Sequence, residues 1–526
     1  MRLPWVYAKG VNKMLNKAGR DIPSVIPGFK EVKLYNGPFA ANPTGRVVGP
    51  KISVNKPRSE KVLKSIDQAI EATGLKSGMT ISFHHHFRNG DYVLNMVVEA
   101  IARKGIRDIT LAASSLTSTH DAIIPYIEQG VITAIETSGG RGKLGELFTS
   151  GKFLKKPVLI RSHGGRARAI EAGELAIDVA FIGAPACDTY GNINGIEGKS
   201  ACGSMGYAMC DATYADQVVA ITDHLVPHPL YPISIPQTNV DFIVEVEAIG
   251  DPKGIASGAL RISKDPKELI IAEYASSVIE YSGYFKNDYS LQLGSGGASL
   301  AAAQFIKEKM IAQGIVGSFG VGGITAPFIE MLDQGLFKTL FDVQDFDIPS
   351  IDSLRNNPNH LEMSASYYAN PHNRGPIVNK LDVVILSATE VDVDFNVNVI
   401  TNSNGVIMGA SGGHCDTAAG AGLSIVVAPL LRGRLPMVLD RVHTIVTPGE
   451  TVDVIVTERG VAVNPNRKDV FENLKNANIP LMSIEQLQQI AYDLTGKPES
   501  IPVTDEIVGV VEYRDGTILD VIRKPV

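Results

Sequence analysis

The chain has 526 residues, 44% hydrophobic and 20% charged, with a formal net charge of −7; this is too long for one hydrophobic core and is ordinary multi-domain globular composition. The acidic balance argues against nucleic acid as the main partner, but not against anionic small molecules, which need only a local cationic pocket. No apolar run is long enough to span a membrane, Met1 to Trp5 lacks a signal peptide's apolar stretch, and Cys187, Cys202, Cys210 and Cys415 lack the spacings of a disulfide framework or zinc site. A cytoplasmic protein with reduced thiols is expected.

Residues 1–59, rich in Pro, Gly and Lys, form an extension expected to pack on the surface or on a partner. Val62, Ile66 and Ile70 recur at helical spacing, and the pattern stops at Gly74. A β-like run, Met79 to Phe83, leads into a loop from His84 to Asp91 and a helix through about Arg103. Gly140-Arg141-Gly142-Lys143-Leu144-Gly145 spells a dinucleotide-binding fingerprint. Arg161 and His163 stand where its downstream acid belongs, so it is discounted.

Residues 177–194 then recur, without a gap, at 381–398. Asp178, Val179, Ala184, Asp188, Asn192 and Asn194 return as Asp382, Val383, Ala388, Asp392, Asn396 and Asn398. A period of about two hundred residues is too long for a solenoid and predicts two related domains in tandem, 60–258 and 259–526, with function between them. The second copy has a helix start at Asp265, with Pro266 at the first helical position and Glu268 placed for a capping box. It continues through a strand at Tyr289 to Leu293, a loop at Gly294 to Ala298 and a helix to about Gln313. Strands alternating with helices predict an α/β fold with mostly parallel sheets.

Ligands bind where loops leave the carboxyl ends of such strands, and there the second copy is rich in glycine. Gly294, Gly296 and Gly297 follow one strand; Gly320, Gly322 and Gly323 are read as the loop after another; Gly409-Ala410-Ser411-Gly412-Gly413-His414-Cys415-Asp416 lies downstream. Such loops let backbone N–H groups converge on an anion or let a thioester approach closely, although each alone could be a tight turn.

Gly409 to Asp416 with Gly422 to Pro429, Ala388-Thr389-Glu390-Val391-Asp392, and Val452 to Ala462 resemble the coenzyme A-transferase superfamily. Asp178 to Asn194 matches that superfamily's pattern in the first half. Ser82-Phe83-His84-His85-His86-Phe87-Arg88 and Gly317 to Phe328 resemble, within it, the citrate lyase alpha-chain family. The resemblance runs from about residue 30 to the end. It implies two tandem, duplicated coenzyme A-transferase-type (NagB/RpiA-like) domains. It also implies transfer of an acyl-carrier thiol from an acetyl group to citrate, with acetyl-coenzyme A able to stand in for the acyl carrier protein thioester. Assembly with a lyase (beta) subunit and a gamma acyl carrier protein follows from the same resemblance.

Covalent members of the superfamily carry a nucleophilic glutamate before the second glycine loop. Gly314 to Gly323 contains no acid, so a glutamyl thioester is not expected, and the resemblance implies direct attack of citrate on the acetyl thioester through a mixed anhydride. Thioester exchange is nearly balanced energetically, and it calls for no metal, redox cofactor or ATP. It needs reactants held in contact and N–H donors aimed at an oxyanion, assigned here to Gly412 and Gly413.

His84, His86 and Arg88 are candidates for the citrate carboxylates, because alternation points His84 and His86 the same way; a structural role for the imidazoles is equally open. Arg432 and Arg434 are second choices. Glu390, whose counterpart in the first copy is Ala186, is a candidate for orienting the thioester or a loop, or for a salt bridge across the domain interface. Cys415 reads as a buried thiol. Open alternatives are a citramalate or other carboxylate transferase, an acyl-coenzyme A hydrolase, and a ligand-sensing regulator; residues 1–59 lack the helix-turn-helix a regulator would carry.

Overall fold

A computed structural model describes residues 12–45, 47–255, 263–294 and 296–526. They build two α/β units, each around a mostly parallel sheet. The first unit contains β1 (Val62–Leu63), β2 (Thr80–Phe83), β3 (Ile109–Ala113), β4 (Ile132–Thr137), β5 (Val158–Ile160), β6 (Val179–Ala184), β7 (Gln217–Thr222) and β8 (Phe242–Glu245). The second contains β9 (Ser290–Leu293), β10 (Gly317–Ile324), β11 (Phe337–Asp345), β12 (His360–Glu362), β13 (Val383–Ser387), β14 (Leu423–Val427), β15 (Val454–Thr457) and β16 (Gly460–Val463). The order β5-β4-β3-β2-β6-β7-β8 in the first sheet is repeated as β12-β11-β10-β9-β13-β14-β15 in the second, all pairs being parallel. Both faces of these sheets are covered, so central strands such as β6 and β14 are buried throughout and mostly apolar.

The residues shared by the two copies hold equivalent joints. Asp178 Oδ2 accepts from Thr80 N at 2.7 Å, and Asp382 Oδ2 accepts from Ser290 N at 2.8 Å. Asp188 Oδ1 accepts from the amides of Tyr190, Gly191 and Asn192, while Asp392 Oδ1 takes those of Asp394 and Asn396. Asn194 Oδ1 caps Ile196 and Glu197; Asn398 Oδ1 caps Ile400 and Thr401. In each case one short polar side chain satisfies amides that the chain reversal strips of partners.

Two features depart from the reading above. The last hairpin, β17 (Val503–Glu512) and β18 (Ile518–Pro525), belongs by sequence to the second unit, yet β17 pairs in parallel with β5 and extends the first sheet. It covers an edge that would otherwise expose unpaired backbone groups. Residues 12–45 pack on this hairpin: Ile22 and Ile26 share an apolar cluster with Ile507, Val510 and Ile518, and Asn16 Nδ2 donates to the Ile518 and Leu519 carbonyls. The second departure is the stretch holding Gly320, Gly322 and Gly323, read as a loop, which is strand β10 itself with a bulge between Gly322 and Gly323. A Cβ at Gly317, Gly320 or Gly323 would meet the rings of Phe337, Phe328 or Phe346, so the glycines make room for aromatic side chains and not for a turn. No described helix is long and apolar enough to cross a membrane.

Candidate active site

The carboxyl ends of both sheets face one cavity of about 680 Å³. The first unit contributes His85, Arg88 and Asn89 after β2, Ser115 and Thr117 after β3, Ser138 and Arg141 after β4, and His163 after β5. The second contributes Gly294 and Gly296 after β9, Thr325 after β10, Phe346 after β11, and Ala388 and Thr389 after β13. Gly409 to His414, leading into α2 (His414–Gly420), complete the wall with Arg432. Each unit places its chain reversal, between β2 and β6 or between β9 and β13, at this face, where an open α/β sheet leaves a crevice.

The wall is cationic. Arg88, Arg141 and Arg432 line it, with His85, His163 and His414, and not one Asp or Glu lies among the described lining residues. Arg88 crosses between the units: its Nη1 donates to the Phe346 carbonyl at 2.7 Å and its guanidinium lies 4.2 Å from the Phe346 ring centroid. It adopts φ +54, and burial lowers its pKa to about 10. Arg141 and Arg432 are exposed; among the described residues Arg141 has no ion-pair partner, and Arg432 touches only the Ala388 carbonyl, at 3.4 Å. Arg434, on the same small hairpin, is exposed and off the wall.

The three histidines are neutral. Burial lowers the pKa of His163 to about 3, helped by Arg166 and Arg141, and that of His414 to about 4. Burial and the nearby His163 push His85 well below the ordinary value. His85 stacks on both His163 and Tyr207, with ring centroids 5.1 and 4.5 Å away, in a cluster where those two rings lie 4.4 Å from each other, and its Nδ1 meets Ser114 Oγ at 2.6 Å. Ser138 Oγ, His163 Nδ1, Gln292 Oε1 and Thr325 Oγ1, all on the wall, are buried with no partner among the described residues. Unsatisfied polar atoms converging on a cavity are what a polar ligand would satisfy.

Gly412 and Gly413 lie on the wall as read from sequence. Gly412 has φ +55, and its carbonyl accepts from His163 N at 2.9 Å; among the described residues neither Gly412 N nor Gly413 N has an acceptor in the protein. The loop is stitched to the first unit on both sides. Ser411 N donates to the Ser138 carbonyl at 2.7 Å. Asp416 accepts from Ser162 Oγ and Gly164 N, both at 2.8 Å, at the start of α1 (His163–Glu171).

Other expected site residues lie elsewhere. His84 and His86 do point the same way, but into the core: His84 Nε2 is 3.0 Å from Asp211 Oδ2, and His86 Nε2 is 2.9 Å from the Gly183 carbonyl. The intervening His85 faces the cavity. Glu390 is also off the wall and buried, its two oxygens held by Asn398 Nδ2 and Ser403 Oγ at 2.9 Å; among the described residues no ion pair joins it to the first unit. Gly294, Gly296 and Gly323 line the cavity, whereas Gly297 opens a helix (Gly297–Gln313) and Gly320 and Gly322 sit within the sheet. Cys415 is buried, which pushes its thiol far above the ordinary range. Sequence reasoning missed His85, Arg141, His163 and Gln292. Arg141 and His163 could have been found, since each directly follows a β-like run at the same sheet end as Arg88.

The family model for citrate lyase, alpha subunit (CitF) matches residues 59–525. The citrate lyase alpha chain of Klebsiella pneumoniae is 55% identical over 472 residues, covering 90% of this chain and 93% of its own. That of Haemophilus influenzae is 54% identical over 465 residues, covering 88% and 93%. A crystal structure described as an alpha subunit of citrate lyase from Streptococcus mutans, in complex with citrate, superposes with a TM-score of 0.94 at 52% identity, covering 97% of this chain and all of that one. A chain of a Pseudomonas malonate decarboxylase hetero-tetramer shares the fold, with a TM-score of 0.60 at 16% identity and 84% of each chain covered.

Proposed function

The chain belongs to the citrate lyase alpha subunit family, and on that premise we propose that this cavity holds citrate and an acetyl thioester together and moves the thiol carrier from acetyl to citrate. The observation that carries this reading is the lining, which among the described residues holds three arginines and three neutral histidines without a single carboxylate. Such a wall suits a multiply charged carboxylate and offers no enzyme acid to become acylated.

The steps balance without an enzyme nucleophile. A citrate carboxylate oxygen attacks the acetyl carbonyl carbon, and the oxyanion that forms is placed against the free amides of Gly412 and Gly413. The C–S bond breaks, leaving an acetyl-citryl anhydride and a thiolate. The thiolate attacks the citryl carbonyl, acetate departs, and a citryl thioester results, with no net proton consumed. Arg88, Arg141 and Arg432 hold the carboxylates, and their contribution is to keep two anions and a thioester in contact. The co-substrate is the acetyl thioester of an acyl carrier protein, replaceable by acetyl-coenzyme A. The alpha-chain naming of the relatives and the citrate in the Streptococcus mutans crystal support citrate as acceptor. They also support assembly with a beta lyase subunit and a gamma acyl carrier protein.

A single turnover with carboxylate-¹⁸O citrate tests the route. Direct attack delivers label to acetate in that first turnover, whereas a glutamyl-enzyme would retain the label on protein. Label-free acetate, or a hydroxylamine-trapped glutamyl thioester, would overturn the proposal. Running citramalate in parallel separates the two acids, because the citrate reading requires the higher kcat/KM for citrate.

A further inference from the structure

At the edge of the second sheet, outside the cavity, three buried side chains converge. Asp342 and Asp345 lie near the end of β11 and His360 opens β12, which runs parallel beside it with Asp342 opposite Glu362. One ligand-type atom each of Asp342, Asp345 and His360 lies within 4.8 Å of the others, and the three residues are 0%, 2% and 3% exposed. Each aspartate uses one oxygen on a backbone amide: Asp342 Oδ1 accepts from Gln344 N at 2.7 Å, and Asp345 Oδ2 from Ser204 N at 2.9 Å. Among the described residues Asp342 Oδ2, Asp345 Oδ1 and both ring nitrogens of His360 meet no donor or acceptor in good hydrogen-bond geometry, although the two carboxyls lie close enough to share a proton and burial raises both above the ordinary carboxylate range. His360 Nε2 is 3.4 Å from Asp342 Oδ2. Among the described residues no Lys or Arg pairs with either aspartate, and Glu362, accepting from Met205 N at 2.6 Å, brings a third carboxylate close by.

Two carboxylates withdrawn from water without a cation are electrostatically unfavourable. Here their unpaired oxygens and an unpaired imidazole nitrogen gather within the reach of one ion. We propose that Asp342, Asp345 and His360 bind a divalent transition-metal ion, Mn²⁺ or Zn²⁺. The imidazole in the donor set disfavours Mg²⁺ and Ca²⁺, which prefer oxygen alone. The ion would be a positioning element. It ties the Ser204 loop of the first unit to the edge of the second sheet, and it fixes the strand end from which Phe346 projects under Arg88.

The test uses the full chain, stripped with chelator, dialysed, then exposed separately to Mn²⁺, Zn²⁺ and Mg²⁺ and desalted. Metal analysis is expected to find about one equivalent of Mn²⁺ or Zn²⁺ per chain, with Tm raised by a few degrees, and Mg²⁺ doing neither. Asp345→Asn and His360→Gln, checked for native circular dichroism, should each bind at least roughly tenfold more weakly and lose the Tm response. Should Asp345→Asn misfold, His360→Gln and the stoichiometry of the unaltered chain decide. Metal bound far below one equivalent, equal binding by His360→Gln, or equal retention of Mg²⁺ overturns the proposal. So does a cluster that responds only to pH, since that would mean the two aspartates share a proton instead.

Discussion

Ser162 Oγ donates to Asp416 Oδ1 at 2.8 Å across the junction of the two units. The bond joins the start of α1 in the first unit to the first turn of α2 in the second, directly behind the Gly412–Gly413 loop. Gly164 N donates to the other carboxylate oxygen, and Arg514 Nε lies 3.8 Å from Asp416 Oδ1. Asp416→Ala therefore leaves a buried hydroxyl, a buried amide and the Arg514 charge unanswered. It should cost roughly 3–5 kcal/mol, the range for breaking a buried pair from one side. Asp416→Asn, which keeps one acceptor, should cost less. Urea unfolding of the two variants checks the order, and equal stability would refute a docking role.

Gly412 sits at φ +55, a conformation that costs a branched residue about 1–3 kcal/mol. A Cβ at Gly413 would come 3.0 Å from Tyr368 Oη. Val at either position should suppress turnover while the chain still folds, because the two amides swing from the cavity before the core is disturbed. Comparing kcat with the unfolding midpoint checks this. Full turnover in a folded Gly413→Val chain would remove the oxyanion role.

Much of the scaffold was legible because the duplicated residues are joints. Asp178 and Asp382, or Asn194 and Asn398, recur since the same amides need the same acceptors in both units. The hairpin that returns to β5 was not legible, because period-2 patterning identifies a strand without naming its neighbour. The same limit explains the histidines. Alternation correctly grouped His84 with His86, but spacing alone does not say which face is core, and Asp211 and the Gly183 carbonyl decide that. At Gly320 to Gly323 the glycines suggested a loop because the side chains that fill their Cβ space, those of Phe328, Gln292 and Phe346, were not evident from spacing.

Glu390 is held at both oxygens inside its own unit. Glu390→Gln should therefore leave kcat within a few-fold and lower stability by about 1–3 kcal/mol, the cost of disturbing buried bonds to a charged acceptor. A folded variant with kcat reduced a hundred-fold would restore a direct part in the reaction.

His163 has its pKa lowered from 6.5 to about 3 by burial. The folded chain keeps it neutral while the unfolded chain protonates it, so stability is lost as pH falls from about 6.5 towards 3 and the loss levels off below that. One such proton contributes at most about 1.4 kcal/mol per pH unit. His163→Phe, which preserves the stack on His85 and Tyr207, should flatten the stability–pH slope between pH 6.5 and 4.5 by up to that amount. An unchanged slope would show that His163 is already charged in the fold.

Arg88 and Arg141 separate two contributions to citrate binding. Arg88 is built into the junction through Phe346, so Arg88→Lys keeps the charge but loses the planar fork and the ring contact. Among the described residues Arg141 has no ion-pair or side-chain hydrogen-bond partner to lose, so Arg141→Ala should be structurally silent. If each holds a citrate carboxylate in ground and transition states alike, KM for citrate should rise with little change in kcat, while KM for the acetyl thioester stays constant. A charged hydrogen bond of about 1.5–3 kcal/mol corresponds to roughly ten- to hundred-fold in KM. A rise confined to the thioester would transfer Arg141 to the acetyl thioester co-substrate, and no change in either KM would remove it from the binding site.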